Sequence, residues 1–205
     1  MKLYYSPGSC SLAVHIVLRE ANLPHELAKV DLWKHKTASG GDYYLINPKG
    51  SVPALEFDGG LLTEGPAITQ YLADRYAPAL VPANGTLERA RLQEMLNYLS
   101  SEYHKSFTPL FYLAPSDDAT DAQRPVIAKL AYLNSVLEDG RAYLMGDAFS
   151  VADAYLFALT RWCVKFRISL DAFSAFNGYM ARVEARPAVK AALQAEGLEE
   201  QYGRR

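Results

Sequence analysis

Cysteine is scarce in this chain: two occur in 205 residues, at positions 10 and 163. Such a pair makes no disulfide framework and no zinc-ligand spacing, and it suits a reducing compartment. Long apolar runs are also missing. No stretch approaches the roughly 18 residues needed to cross a bilayer. The first residues, one Lys and then a strand-like run, hold no signal-peptide apolar core. The expectation is a cytoplasmic protein with no membrane partner. Neither charge sign is in excess: 21 Lys and Arg stand against 23 Asp and Glu. That balance gives no electrostatic case for nucleic acid. No low-complexity tract or fixed-period repeat is found, and no metal site is expected.

What is present is an ordinary globular composition, 50% hydrophobic and 21% charged, long enough to bury a substantial core. The pattern changes near residue 80. Lys2–Tyr5 reads as a strand, Ser6-Pro7-Gly8 as a turn and Ser11–Ala21 as a helix. Glu26–Leu32 alternates again, and residues 33–50 are polar with turn signals. Ala54–Phe57 and Leu61-Leu62 flank Asp58-Gly59-Gly60 as a hairpin. Thr63 caps a helix with Pro66 in its first turn. The order β-α-β, polar stretch, β-β-α predicts a small α/β domain over 1–76. Its first crossover should make strands one and two parallel. Residues 77–86 read as a linker. Beyond it the periodicity predicts only helices, over Thr86–Thr108, Asp121–Asp139, Ser150 to about Phe166, Ala172–Ala185 and Pro187–Ala195. Residues 87–205 are expected to form an all-α bundle.

Several residues are placed where chemistry is cheap. Cys10 stands between the Pro-Gly turn and the first helix, expected in its first turn, where unpaired N–H groups and the helix dipole favour a thiolate. The other reading of Cys10 is a small buried residue filling a strand–helix junction. Thr63-Glu64-Gly65 opens a helix whose N–H groups can hold a carboxylate, while Glu64 can accept from an ammonium group or simply stabilise the first turn. Asn97, Ser101 and His104 recur at i, i+4, i+7 and share one stripe of the long helix, as a binding face or as a solvated one. Cys163 reads as helical core, and Asp153, in Ser150-Val151-Ala152-Asp153, as a structural cap.

Five segments together resemble the cytosolic glutathione transferases, most closely the bacterial beta class. They are Lys2–Ser11, Asn47–Leu55 around Val52-Pro53, Leu62–Ile68 around Glu64-Gly65, Leu96–Tyr98 with Glu102–Lys105, and Ser150–Tyr155. The resemblance implies a thioredoxin-like N-terminal domain joined to an all-α C-terminal bundle. It implies a cis Val52-Pro53 bond, with glutathione extended along that segment by strand addition. It places Cys10, His35, Val52, Pro53, Glu64, Gly65, Asn97, Ser101 and His104 around glutathione. Cys10, His104 and secondarily Tyr5 are the catalytic candidates. His35 stands where close relatives tend to carry Lys, with Lys34 or Lys36 as substitutes. Gly65 stands where many relatives outside the class carry Ser, which leaves backbone recognition only. The electrophile is expected between the domains, against an apolar wall around Tyr103, Phe107 and Tyr112.

The implied activity is transfer of glutathione sulfur to hydrophobic electrophiles, with glutathione as co-substrate, no other cofactor, and a homodimer in which Asn97 serves the neighbouring site. Two alternatives stand beside it. One is a glutathione-dependent disulfide reductase or peroxidase working through a Cys10–glutathione mixed disulfide; no second cysteine follows at Cys-x-x-Cys spacing. The other is a non-catalytic glutathione- or ligand-binding module.

Overall fold

The computed structural model describes residues 1–114 and 116–202. Strand β1 (Lys2–Tyr5), helix α1 (Leu12–Glu20) and strand β2 (Glu26–Asp31) form a right-sized βαβ unit. β1 and β2 pair in parallel with Leu3 opposite Leu27, as the crossover requires. β3 (Lys36–Thr37), β4 (Ala54–Phe57) and β5 (Gly60–Thr63) complete a mixed sheet of order β3-β2-β1-β4-β5. The β4–β5 hairpin pairs Leu55 with Leu62. Helix α2 (Gly65–Tyr76) follows directly; its N-cap is Glu64, whereas Thr63 is the last residue of β5. The polar stretch also holds a short 3-10 turn at Tyr43–Leu45 that no periodicity announces.

Period-two alternation in β1 sends its two tyrosines to opposite faces. Tyr4 joins a small cluster with Val30, Tyr43, Val52 and Ala54. Tyr5 joins the large core on the other face, with α1 and the helical domain. That core runs without interruption from Leu3 through α1 to the helices α6 (Val151–Thr160) and α9 (Pro187–Ala195). The two halves therefore share one hydrophobic interior, and burial of their common apolar surface sets how they sit. All ten residues of α6 are buried, which makes it the central helix of the bundle.

The remaining helices are α3 (Leu87–Tyr98), α4 (His104–Ser106), α5 (Thr120–Leu137), α7 (Trp162–Lys165) and α8 (Ser174–Glu184). The single helix expected over Thr86–Thr108 is interrupted. Leu99–Tyr103 forms a π-turn, in which the N–H of His104 bonds Leu99 O. The helix expected to run from Ser150 to about Phe166 breaks at Arg161, between α6 and α7. Asp153 caps α6: its carboxylate accepts from Ser150 N–H (2.8 Å), Ser150 Oγ (2.7 Å), Leu144 N–H (2.8 Å) and Tyr179 OH (3.0 Å). Among the described residues no helix is long and apolar enough to cross a membrane, and no His, Cys, Asp and Glu group has metal-binding geometry.

Candidate active site

A cleft of about 1520 Å³ lies between the two domains. Its first wall starts at the turn after β1. Serine hydroxyls brace that turn: Ser9 Oγ and Ser11 Oγ lie 2.7 Å apart, and Ser11 Oγ donates to Ser6 O. The Gly8 peptide is held from the helical domain on both sides. Its N–H donates to Glu196 Oε2 (3.0 Å) and its carbonyl accepts from Trp162 Nε1 (2.8 Å). Glu196 in turn meets buried His15 at 2.9 Å. The turn that presents Cys10 is thus fixed by groups far away in sequence.

Cys10 lies on the cleft wall, half-buried. Its thiol donates to Val52 O at 3.4 Å. It does not stand in the first turn of the helix: α1 begins at Leu12, and Ser11 is the N-cap. The N–H groups of Leu12 and Ala13 are already bonded to Ser9 O and Cys10 O. Burial pushes the thiol up to about 12; its own N–H pulls the other way, Glu64 adds to the rise, and Ser11 N–H opposes it. The expected easy ionisation is corrected accordingly: desolvation outweighs the dipole.

Val52-Pro53 is a cis peptide, and both residues line the cleft. The Val52 carbonyl carries the Cys10 bond, while its N–H meets no partner among the described residues. Glu64 and Gly65 lie alongside. Glu64 adopts φ 69, a left-handed conformation uncommon for a non-glycine residue and concentrated at functional sites. Its carboxylate pairs with Lys49 Nζ at 2.6 Å. Lys49 also donates to Thr63 Oγ1. Lys49 lines the cleft; Lys34 and Lys36 do not. His35 is on the wall, its Nδ1 donating to Gly50 O at 3.2 Å and its ring packed on Tyr44 at 4.5 Å.

The helical wall departs further from expectation. Asn97 and His104 face the cleft, but the serine between them that does so is Ser100. Both serine hydroxyls donate back to Asn97 O, but Ser101 lies outside the cleft lining. Each residue of a π-turn rotates the chain less than in an α-helix, so His104 falls in line with Ser100 instead. His104 Nδ1 lies 2.9 Å from the Tyr155 hydroxyl. Burial, then the neighbouring charge of Lys105, lowers the His104 pKa to about 4, so the ring is neutral.

Three aromatic candidates belong to the core. Tyr103 and Phe107 are fully buried and outside the cleft lining. Tyr103 OH meets Thr160 Oγ1 at 3.1 Å, and Phe107 packs on Trp162 and Phe166. Tyr5 likewise points into the interdomain core, its hydroxyl pushed up by burial and then by Glu196. Tyr103 and Phe107 sit on the apolar side of the helical segment that builds the bundle, and Tyr5 reaches the same core from the end of β1. Tyr112 does line the cleft, 80% exposed. The apolar lining beside it comes from Phe111, Trp162 and Val164, and Tyr155 stands between the two walls, against Gly65. Cys163 is buried, as expected for a core residue.

Known proteins share this arrangement. Residues 7–75 match the family described as glutathione S-transferase, N-terminal domain, and residues 94–187 match its C-terminal domain. A glutathione S-transferase GstA of Escherichia coli O157:H7 is 44% identical, the alignment covering 97% of this chain and 100% of that protein. A sphingomonad glutathione S-transferase, solved in complex with glutathione, superposes with a TM-score of 0.90 at 48% identity, covering 97% of this chain and all of that one. A bacterial beta-class glutathione S-transferase of Sphingomonas chungbukensis reaches a TM-score of 0.91 at 46% identity over the same shares. Motifs, mixed sheet, helical bundle and interdomain cleft agree with these matches from end to end: the chain belongs to the glutathione S-transferase family.

Proposed function

We propose that the protein transfers the sulfur of glutathione to hydrophobic electrophiles in this cleft, as a cytoplasmic homodimer. The observation that carries the reading is a convergence. Cys10, Val52, Glu64 and His104 come from four separate segments and line one cleft, and a relative of 48% identity was solved in complex with glutathione.

The chemistry follows from the groups present. Glutathione lies extended past Val52, whose N–H and C=O offer main-chain hydrogen bonds. Its γ-glutamyl carboxylate meets the N-terminus of α2. Its ammonium meets Glu64, and Lys49, now bonded to Glu64, turns to a carboxylate. The tripeptide sulfur then lies beside Cys10. With a thiol near 12, Cys10 keeps its proton at neutral pH and serves as a donor to glutathione's thiolate. His104, near 4, is a weak base and carries no charge. The proton of glutathione's thiol therefore leaves to solvent. The site stabilises the thiolate left behind, which is the nucleophile. The thiolate forms a C–S bond to the electrophilic carbon held against Phe111 and Tyr112, and a leaving group such as halide departs with the bonding pair.

Calorimetric titration with glutathione, paired with a chlorodinitrobenzene conjugation assay, tests this. Wild type should bind and turn over. Cys10→Ala should still conjugate, at a rate lower by about tenfold or less, since one charge-assisted hydrogen bond is lost. A disulfide-reducing activity of the wild type that vanishes in Cys10→Ala, with glutathione binding intact, would favour the mixed-disulfide mechanism. Binding without turnover in wild type would favour a binding module. Sedimentation equilibrium checks the dimer.

A further inference from the structure

The helical wall of the cleft carries positive charge that glutathione does not need. Lys105 and Lys165 both line it, and neither has a carboxylate within ion-pair distance among the described residues. Lys165 Nζ stands 4.6 Å above the Phe111 ring. Lys105 follows His104, whose ring meets Trp162 at 5.0 Å. The third cation on this wall, Arg161, is already paired with Glu184. The carboxylates lining the cleft, Asp31 and Glu64, both belong to the other wall. Asp31 is occupied by the N–H groups of Trp33 and Lys34, and Glu64 by Lys49.

Glutathione brings two carboxylates and one ammonium, and the first wall answers each: the α2 N-terminus, Lys49 and His35 for the carboxylates, Glu64 for the ammonium. Lys29, on the first wall, is a further lysine without an ion pair among the described residues; on the helical wall two unpaired ammonium groups remain, beside half-buried Phe111 and exposed Tyr112. Partly enclosed walls of low polarity focus such charge and raise the local concentration of anions. A flat ring would pack on Phe111 and Tyr112 while an anionic substituent reached a lysine.

We propose that the electrophile is an aromatic or conjugated carboxylate, held by its ring on the aromatic wall and by its carboxylate at Lys105 and Lys165. This rests on the reading of the cleft as a glutathione transferase site and narrows its substrate class. The reaction stays the same: glutathione's thiolate adds at the activated carbon, the C–S bond forms and the leaving group departs with its electron pair. The carboxylate is a handle that takes no part in bond making.

The test compares chlorodinitrobenzoate with neutral chlorodinitrobenzene, each rate divided by its uncatalysed rate with glutathione. Wild type should prefer the carboxylate. In Lys105→Gln/Lys165→Gln the preference should fall about tenfold, the size of a charge-assisted contact. It should return in Lys105→Arg/Lys165→Arg and weaken as salt is raised. An unchanged preference in the Gln double variant overturns the proposal. Should neither probe react, the transferase reading fails, and calorimetric binding of chlorodinitrobenzoate still decides the charge claim. Tighter binding by about tenfold in wild type than in the Gln double variant upholds it; equal binding overturns it.

Discussion

The two walls of the cleft are built by different means. On the N-terminal side, recognition is placed by backbone: a braced turn at Ser6–Ser11, the cis segment Val52-Pro53, and the start of α2. These features come from turns and element ends, whose geometry a few residues fix locally. On the helical side, recognition is placed by side chains projecting from packed helices, and their direction depends on the bundle. The first wall offers polar groups to a peptide; the second offers Trp162, Phe111 and Tyr112 with two free lysines. Under the proposed function, the first wall holds the constant co-substrate and the second is the part free to vary with the electrophile.

The most severe way to break the helical wall is Asp153→Ala. The change strips four hydrogen bonds from the buried start of α6, which carries Tyr155. It should cost about 3–4 kcal/mol of stability, read by urea denaturation as a lower midpoint with an unchanged slope. The first wall is challenged next by Glu64→Ala. Glutathione affinity should drop on the order of thirtyfold, as one charged contact of about 2 kcal/mol disappears, and calorimetry measures it. Electrophile KM should move far less, and equal losses on both substrates would erase the distinction between walls.

A smaller effect concerns pH. The folded pKa of His104, about 4, lies below the ordinary imidazole value near 6.5. Between the two, the unfolded chain binds the proton more tightly. The contribution to stability is therefore complete above about pH 6.5 and is lost as pH falls towards 4, by about 1–2 kcal/mol once partial solvent screening is allowed for. Denaturation midpoints followed from pH 7 to pH 4 should show this limb in wild type and a flatter one in His104→Gln. The smallest effect sharpens the register of the second wall. Ser100→Ala should alter kcat/KM about twofold to threefold through one neutral hydrogen bond, whereas Ser101→Ala should leave it unmoved. The reverse result would place the π-turn wrongly.

The same contrast explains what the sequence disclosed. β1 and α9 stand where the pattern puts them, because alternation and a Pro-initiated apolar period are local signals. Cys10, Val52, Glu64 and Gly65 were legible as cleft residues for the same reason: turn, X-Pro and helix-start chemistry is written in consecutive residues. The Lys49–Glu64 pair spans 15 positions across the hairpin, and no local pattern reveals it. A π-turn leaves no compositional mark, so the stripe Asn97, Ser101, His104 includes a serine that lies off the cleft lining. Tyr103 and Phe107 show that an aromatic at helical spacing goes to the core first. Tyr155 was hidden because α6 is buried on every side, which removes the periodicity that would tell one face from another, and Trp162 because it opens α7, a helix of four residues too short to show a period. The thiol of Cys10 was misjudged because its ionisation depends on burial by distant segments.

The central claim is that glutathione lies along the first wall with its sulfur at Cys10. A crystal structure of the protein with glutathione bound tests it most directly. The account predicts the tripeptide sulfur roughly 3.5–4 Å from Cys10 Sγ, the range of a sulfur hydrogen bond, and the γ-glutamyl end at Glu64-Gly65. Glutathione bound outside the cleft, or lying in it with its sulfur turned away from Cys10, would contradict it.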